Sequence, residues 1–404
     1  MKNKLLNSLM LAVLAVPSVA MAEEAHQHEP GTPVMAEKPA LPTFGAIMEA
    51  AGIDVHGYVD GSYTALSGNG KFIGNVFNNR VFDYERNSFN IQALDMTVSS
   101  LPVEGFGGLV NLTAGKDADI IAAYGAIDSA RGPAAGANNT FDVTQAYFHY
   151  ASGPLMVIAG KYVTLAGAEV IKSPSNTNFS RSILFGYAIP FSHTGVRGYY
   201  KVNDMLTLIA GVNNGWDNLK DTNASKTFEL GASLAPGKSF SIAAQGYSGK
   251  EQITNYPLSA AQGTRNLLDI VATFTATDQL TLVLNYDNAS QQNATLINGS
   301  TGTAKWDGWA GYANYQINDM WRLSLRGEIF NDKDGYRTVV EPGKTSGQKW
   351  KETTATVAYL PTKNVELRGE IRSDRSDQAV FLDTDGITPK SSQSSLGLEV
   401  IYKF

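Results

Sequence analysis

Apolar and polar residues alternate along most of this chain with a period of two, which places successive side chains on opposite faces of a β-strand. The last ten residues show the pattern most clearly. One face of residues 395–404 carries Glu399 and Lys403, with Ile401 as its one apolar exception, and the other face carries Leu396, Leu398, Val400, Tyr402 and Phe404. Ten residues tilted by about 40° span roughly the 25 Å apolar band of an outer-membrane barrel. An edge strand of a soluble sheet has the same pattern, so this segment alone leaves both open.

From residue 53 onward, pairs of alternating segments are joined by tight turns and separated by longer polar loops. The turns are clusters of Pro, Gly, Asn and Asp, which close β-hairpins, near residues 101–105, 152–154, 203–205, 236–238, 277–279, 318–320 and 361–364. In the C-terminal half they recur about every 42 residues, the length of two barrel strands with their connections. The pattern predicts an all-β domain at residues 53–404, an antiparallel up-and-down barrel of about sixteen strands within a range of roughly 14 to 18.

A recurrence near 40 residues is also found in β-propellers, whose units hold four short strands and one motif per blade. Here each unit holds two long segments, such as residues 280–286 and 365–371, with charges on one face and apolar residues on the other. This arrangement favours a barrel that spans the outer membrane, with short periplasmic turns and long extracellular loops. Aromatic residues near the segment ends are predicted to form interfacial girdles; they include Trp216, Trp306, Trp309, Trp321 and Trp350.

The N-terminus has the features of an export signal. Two lysines precede an apolar run at residues 5–19, which ends in Ala20-Met21-Ala22. A basic start, a short apolar run and an Ala-x-Ala ending predict a Sec-type signal peptide at residues 1–22, cleaved near Ala22. Residues 23–52 are predicted to be a periplasmic lead with one short helix near its end. We expect no plug domain of the size that an energy-coupled transporter uses.

The composition narrows the class further. The net charge is −6 and there is no Cys, and the pI of about 5.5 argues against a nucleic-acid partner. After Ala22 no run approaches the ~20 apolar residues of a membrane-spanning helix.

The middle of the chain carries a distinctive series of motifs. They are GKY at 160–162, GAE at 167–169, NTNFSRS at 176–182, HTGVR at 193–197 and NGWD at 214–217. With GYVDGSY at 57–63, this series resembles the β-barrel porin-2, or OmpL-like, family of outer-membrane proteins, over about residues 53 to 404. The resemblance implies a porin, a water-filled channel for passive diffusion of small hydrophilic solutes or ions. Alternatives are a substrate-selective channel, a barrel adhesin and a barrel hydrolase.

Catalytic motifs are missing from the sequence. Its five His residues belong to no HExxH motif, and there is no GxSxG, P-loop or Cys cluster. His193 follows Ser192, but no acid stands at a spacing that would orient the pair. We therefore predict no catalytic residue, no metal and no cofactor.

The predicted inner faces of the strands carry charges of both signs. Two hypotheses stand: these charges create a transverse field in a water-filled pore, or they pair and only stiffen the wall. The candidate pore-lining residues are Arg322, Arg326, Glu328, Glu366, Arg368, Glu370, Arg372, Arg197, Lys201, Asp60, Asp269 and Asp287.

The loop at residues 166–191 mixes polar residues with more apolar ones than an exposed loop needs. We predict that it folds into the barrel as a constriction, with an external cap as the alternative. The residues predicted to line the constriction are Glu169, Asn176, Asn178 and Arg181.

Partners follow from this architecture. The chain ends on aromatic residues, and Tyr402 and Phe404 are predicted to be the signal that the barrel-assembly machinery recognises. Outer-membrane lipid, lipopolysaccharide and small hydrophilic solutes are the other expected partners. The oligomeric state is expected to be a homo-trimer or a monomer.

Overall fold

A computed structural model describes residues 44–69, 80–123, 141–252, 262–338, 344 and 346–404. The predicted signal peptide and most of the predicted lead therefore lie outside the described residues. Helix α1, Phe44–Ala50, occupies the end of the lead, where the sequence predicts a short helix. None of the helices in these ranges is long and apolar enough to cross a membrane.

Sixteen strands form one closed antiparallel barrel, in which each strand pairs with its neighbours in sequence and the last pairs with the first. A two-stranded hairpin, β16–β17, lies in the last long loop. The strands are β1 Asp54–Leu66, β2 Phe89–Ser100, β3 Gly105–Ala114, β4 Phe141–Ser152, β5 Leu155–Val163, β6 Ser192–Lys201, β7 Leu206–Asn213, β8 Thr227–Leu234, β9 Phe240–Gln252, β10 Gln262–Thr275, β11 Leu280–Thr295, β12 Thr301–Asn318, β13 Trp321–Asp332, β14 Gln348–Tyr359, β15 Val365–Ser376, β16 Phe381–Leu382, β17 Pro389–Lys390 and β18 Ser392–Lys403.

The connections at one end of the barrel are short turns, at the positions that the sequence predicts. The other end carries the longer loops, which we call L1 to L8 in chain order; L1 is 67–88, L2 is 115–140, L3 is 164–191 and L8 is 377–391. In bacterial barrels the short turns face the periplasm and the longer loops face outside. The predicted strand number is confirmed.

Side chains alternate between the two barrel surfaces, as the sequence predicts. On β18, Leu396, Leu398, Val400 and Tyr402 are exposed on the outer surface, whereas Glu399 is buried inside. Ile401 also points inward, where it packs with Tyr58 of β1 and Ala93 of β2. The one break in the pattern of β18 is therefore a small apolar contact inside the barrel.

The barrel closes where β1 meets β18. The Gly57 N–H donates to the Phe404 carbonyl (2.9 Å), and the Phe404 N–H donates to the Gly57 carbonyl (3.0 Å). A Cβ at Gly57 would lie only 2.2 Å from the Asp95 carbonyl oxygen and 2.7 Å from the Phe404 ring, so this position needs glycine. Because β1 pairs with both β2 and β18, the sheet has no open edge.

Deleting Phe404 should lower the amount of assembled barrel far more than the conductance of the barrels that do assemble. The deletion removes both hydrogen bonds to Gly57 and the ring that covers it. Heat-modifiable gel mobility of outer-membrane fractions would measure assembly, and planar-bilayer recording would measure conductance. Phe106→Ala is the control, since Phe106 is an exposed ring away from the closure. Unchanged assembly of the deletion variant would contradict the prediction.

Candidate functional site

Loop L3 lies inside the barrel, against the wall formed by β10 to β15 and β18. It contains a 3-10 turn at Ser173–Ser175 and helix α3 at Ile183–Tyr187. Its depth follows from its contacts. Asn178 donates to the hydroxyl of Thr356 (2.7 Å), three residues from the periplasmic end of β14. Arg368, the fourth residue of β15, donates to the Asn178 carbonyl (3.2 Å). L3 therefore reaches the periplasmic half of the barrel and is not an external cap.

Apolar packing explains why L3 carries so many apolar residues. Ile183, Leu184 and Phe185 of α3 are buried in one cluster with large wall residues, which include Trp306, Phe330 and Trp350. Burying side chains of this kind stabilises by roughly 1.5–3 kcal/mol each. The Trp306 indole N–H also donates to the Ala188 carbonyl (3.1 Å).

The prediction of an interfacial girdle is wrong for three of the five tryptophans. Trp306 and Trp350 are fully buried and Trp216 nearly so; they form part of the internal cluster. Trp306 and Trp350 lie on strands, where successive side chains point alternately inward and outward. Both stand at inward-pointing positions. Trp309 and Trp321 are exposed on the outer surface.

Wall carboxylates hold the backbone of L3. Glu370 accepts the N–H groups of Phe179 (2.8 Å) and Ser180 (3.1 Å). Glu328 accepts the N–H groups of Ile183 (2.7 Å) and Leu184 (2.9 Å) at the start of α3. The first N–H groups of a helix, and those of an irregular loop, have no backbone acceptors. The carboxylates supply these acceptors, and a negative charge at a helix N-terminus is also electrostatically favourable.

Wall arginines hold the carbonyls of the same loop. Arg326 donates to the Ser180 carbonyl (2.6 Å) and pairs with Glu169 of the loop (2.7 Å) and Glu352 of β14 (3.1 Å). Arg372 donates to the Arg181 carbonyl (2.6 Å) and pairs with Asp374 of β15 (2.9 Å). Both guanidinium groups are fully buried.

Arg368 repeats the arrangement deeper in the barrel. It donates to the Asn176 carbonyl (2.7 Å) and pairs with Glu366 (2.7 Å) and Glu399 (2.9 Å). Each of these arginines thus joins a wall carboxylate to a loop carbonyl, and we call this set, with Glu328 and Glu370, the anchor network.

The residues predicted to line the constriction are buried contacts of L3. Arg181 donates to the carbonyls of Val170 (3.1 Å), Phe179 (2.7 Å) and Ile171 (2.6 Å) and is 3% exposed. Asn176 also bonds the Val170 backbone. Glu169 pairs with Arg326 and Asn178 with Thr356, as described above. These side chains therefore fix the shape and position of the loop.

Most of the predicted wall residues lie on the inner face, but Lys201 does not line the interior. Lys201 is exposed at the periplasmic end of β6 and pairs with Asp204 of the turn (2.8 Å). Because β6 ends at Lys201, the alternation along the strand no longer determines whether this side chain is buried. Arg322 is half-buried near the same end and pairs with Glu366 (2.5 Å). The inner-face residues that are buried are Asp60, Arg197, Asp269, Asp287, Arg326, Glu328, Glu366, Arg368, Glu370 and Arg372.

The opposite wall carries a second group of paired residues. Arg197 pairs with Glu229 (2.8 Å) and lies over the ring of Tyr162, 4.2 Å from its centroid. Tyr247 donates to Glu229 (3.0 Å) and stacks on His193 (4.9 Å). The sequence predicts that Arg197 lines the pore but does not predict its aromatic partners, which also lie at inward-facing positions of their strands.

Two further loops contribute charges that sequence reasoning missed. Arg80 of L1 donates to Asp83 (2.5 Å) and to Asp374 on β15 (2.9 Å). Burial works against ionisation of Asp83, but the guanidinium groups of Arg80 and Arg372 lower its pKa. On α2, Lys116–Ile121, Asp117 accepts from Gln92 (3.0 Å). Burial raises the pKa of Asp117 to about 7, although Arg181 opposes the shift. The described residues of L1 and L2 thus also turn inward.

No group of three or more His, Cys, Asp and Glu within the described ranges could hold a metal ion. Among the residues that the structure describes, the hydroxyl of Ser192 has no hydrogen-bond partner, and the His193 ring lies 3.3 Å from the Gly215 carbonyl. This pair therefore forms no nucleophile–base contact.

A family model described as "Putative beta-barrel porin-2, OmpL-like" matches residues 52–404. The chain belongs to this family. Among curated proteins, none matches the sequence. The anchor network therefore lies in an outer-membrane porin.

Solved structures similar to this porin include other outer-membrane proteins. The DcaP channel of Acinetobacter baumannii has a TM-score of 0.59 at 15% identity, over 87% of this chain and 97% of that one. OmpT of Vibrio cholerae, in a trimer form, has a TM-score of 0.57 at 11% identity, over 87% and 99%. The anion-selective porin of Comamonas acidovorans has 0.57 at 10%, over 87% and 99%. At these identities the likeness shows the fold.

Replacing Glu328 and Glu370 together by Ala should release L3 and expose Arg181 to trypsin. The change leaves buried N–H groups without acceptors, at about 1–3 kcal/mol each. Mass spectrometry of limited digests of the folded porin would detect the cut. Glu104→Ala is the control, because Glu104 also accepts a backbone N–H, from Gly153 (2.8 Å), but in an exposed turn. Resistance of Arg181 in the double variant would contradict the anchoring role.

Proposed function

We propose that this porin forms a water-filled channel for the passive diffusion of small hydrophilic solutes or ions, and that L3 narrows it. The anchor network is the observation that carries the proposal. In this network, buried charges of β13, β14 and β15 hold L3 inside the barrel. A loop held in this way would give the constriction a fixed shape. A closed barrel with a polar inner face supplies the rest of the path.

A substrate-selective channel is the second candidate. The observation that favours it is the extent of burial, because wall charges such as Arg326, Arg372 and Arg197 are almost fully covered. Covered charges imply a narrow route. A selective channel would show currents that saturate with solute concentration and are blocked by that solute, whereas a general porin would not.

For the biogenesis of the porin, we propose export through the signal at residues 1–22 with cleavage near Ala22, and recognition of Tyr402 and Phe404 by the barrel-assembly machinery. For its oligomeric state, we propose a homo-trimer; the trimer form of OmpT supports this choice over a monomer. Lipid and lipopolysaccharide are the surroundings that the exposed apolar surface requires.

Deleting residues 175–186 should raise the single-channel conductance severalfold, because the deletion removes most of α3 and the deepest contacts of L3. Planar-bilayer recording in symmetric salt would measure it, and liposome swelling with a graded series of sugars would measure the size limit. The control deletes residues 384–387, the tip of the L8 hairpin, which is mostly exposed. Unaltered conductance in the first variant would show that L3 does not limit flow.

Replacing both Arg326 and Arg372 by Glu should shift ion selectivity toward cations, because two positive charges become negative. It should also raise conductance, because both residues anchor L3. Reversal potentials in a salt gradient would measure the shift. Lys201→Glu is the matched control, since Lys201 is an exposed cation at the periplasmic rim. If selectivity stays unchanged while conductance rises, the pairs only stiffen the wall, and the field hypothesis fails.

A further inference from the structure

The outer surface of the barrel carries a local group of cations at the loop ends of β12 to β15. All are exposed and lie on the outward parity of their strands or just past a strand end: Lys305, Lys333, Lys349, Lys351 and Arg375. Corresponding loop-side positions on several other strands are apolar. Exposed examples are Phe89 and Ile91 on β2, Phe141 on β4, Val212 on β7 and Phe228 on β8. Lys250 on β9 is also exposed, so cations are not confined to this sector, but here they lie together on neighbouring strands.

Pairing between strands brings like charges together in this sector. Lys351 of β14 lies directly opposite Arg375 of β15. Lys349 is two residues along the same face of β14. Like charges directly opposite each other in a sheet are destabilising, so this arrangement calls for a nearby anion.

The neighbouring acids do not supply that anion. Lys333 pairs with Asp307, but in the part of the chain that the structure describes, no salt bridge involves Lys305, Lys349, Lys351 or Arg375. Asp377 accepts the backbone N–H of Lys349 (2.9 Å), and Asp334 accepts that of Lys305 (2.8 Å). The sector therefore keeps unpaired positive charge.

The height of the cations on the barrel matches a lipid head group. On β15 the exposed Ile371 lies four residues from Arg375 on the same face, and on β13 the exposed Ile329 lies directly opposite Lys351. At about 3.3 Å per residue, the cations begin where the apolar band ends, on the extracellular side. One pair below them, Thr353 lies opposite Ser373, and their hydroxyl groups add hydrogen-bond donors.

We propose that this sector binds the phosphate groups of a phosphorylated glycolipid in the outer leaflet of the membrane. Lys351 and Arg375 take one phosphate between them, and Lys349 and Lys305 extend the site. The fork of Arg375 suits the oxygens of a phosphate, and the acyl chains lie on the apolar surface around Ile329 and Ile371. The site rests on the lipid surroundings proposed above and does not depend on conduction through the barrel.

The test measures binding of lipid A to the full chain in detergent by native mass spectrometry. Bis-phosphorylated lipid A should bind the unaltered porin more tightly than dephosphorylated lipid A. The double variant Lys351→Gln, Arg375→Gln should weaken binding of the phosphorylated form by roughly thirtyfold, from about 1 kcal/mol per cation near a membrane surface. Binding of dephosphorylated lipid A should not change.

The control variant, Lys250→Gln with Lys201→Gln, removes the same charge from exposed positions on β9 and at the end of β6. It should bind like the unaltered porin. Equal loss in this control, equal binding of the two lipids, or no loss in the test variant would overturn the proposal. Displacement of lipid A by millimolar inorganic phosphate would also overturn it and indicate a site for free phosphate. Heat-modifiable mobility and conductance of the test variant should be unchanged, which shows that the fold is intact.

Discussion

The interior of this porin depends on buried charges that exchange hydrogen bonds with the backbone of L3. A loop that enters a barrel leaves the partners that its N–H and C=O groups have in water, and an unpaired buried group costs about 1–3 kcal/mol. Here carboxylates take N–H groups of L3 and guanidinium groups take its carbonyls. The same contacts supply partners to the buried charges of the anchor network, which would otherwise be costly to desolvate. Neither the loop nor the wall is stable in this form without the other.

This mutual dependence explains why the network includes both signs in one strip. A carboxylate alone could hold N–H groups, as Glu328 does at α3, but an irregular loop exposes carbonyls as well. On β15, Glu366, Arg368, Glu370 and Arg372 alternate in sign along one inner face. Such a ladder offers acceptors and donors at successive heights. L3 can therefore be held along its length, and not only at its ends.

The barrel was predictable from sequence because its determinants are local. The period of two and the turn residues determine the number of strands, the end of the barrel that carries the short turns, and the face on which each side chain lies. They also place Glu328 and Arg372 inside. The partners of these residues were not predictable, because Glu328 meets Ile183 across 145 residues of chain. The predicted and the observed surroundings of Asn178 and Arg181 differ for the same reason. Their polarity indicated a pore, whereas their contacts are with the wall and with L3 itself.

Tryptophan shows the limit of composition as a guide. Trp306 and Trp309 stand three residues apart on β12, and only parity sends one inside and the other to the lipid. The same rule divides the charges of β14, where Lys351 faces outward and Glu352 inward. Inside, Glu352 pairs with Arg326. Outside, Lys351 faces Arg375 with no acid between them. One stretch of sequence thus makes a paired wall inside the barrel and an unpaired cationic surface outside it, which is the surface where we propose that a lipid phosphate binds.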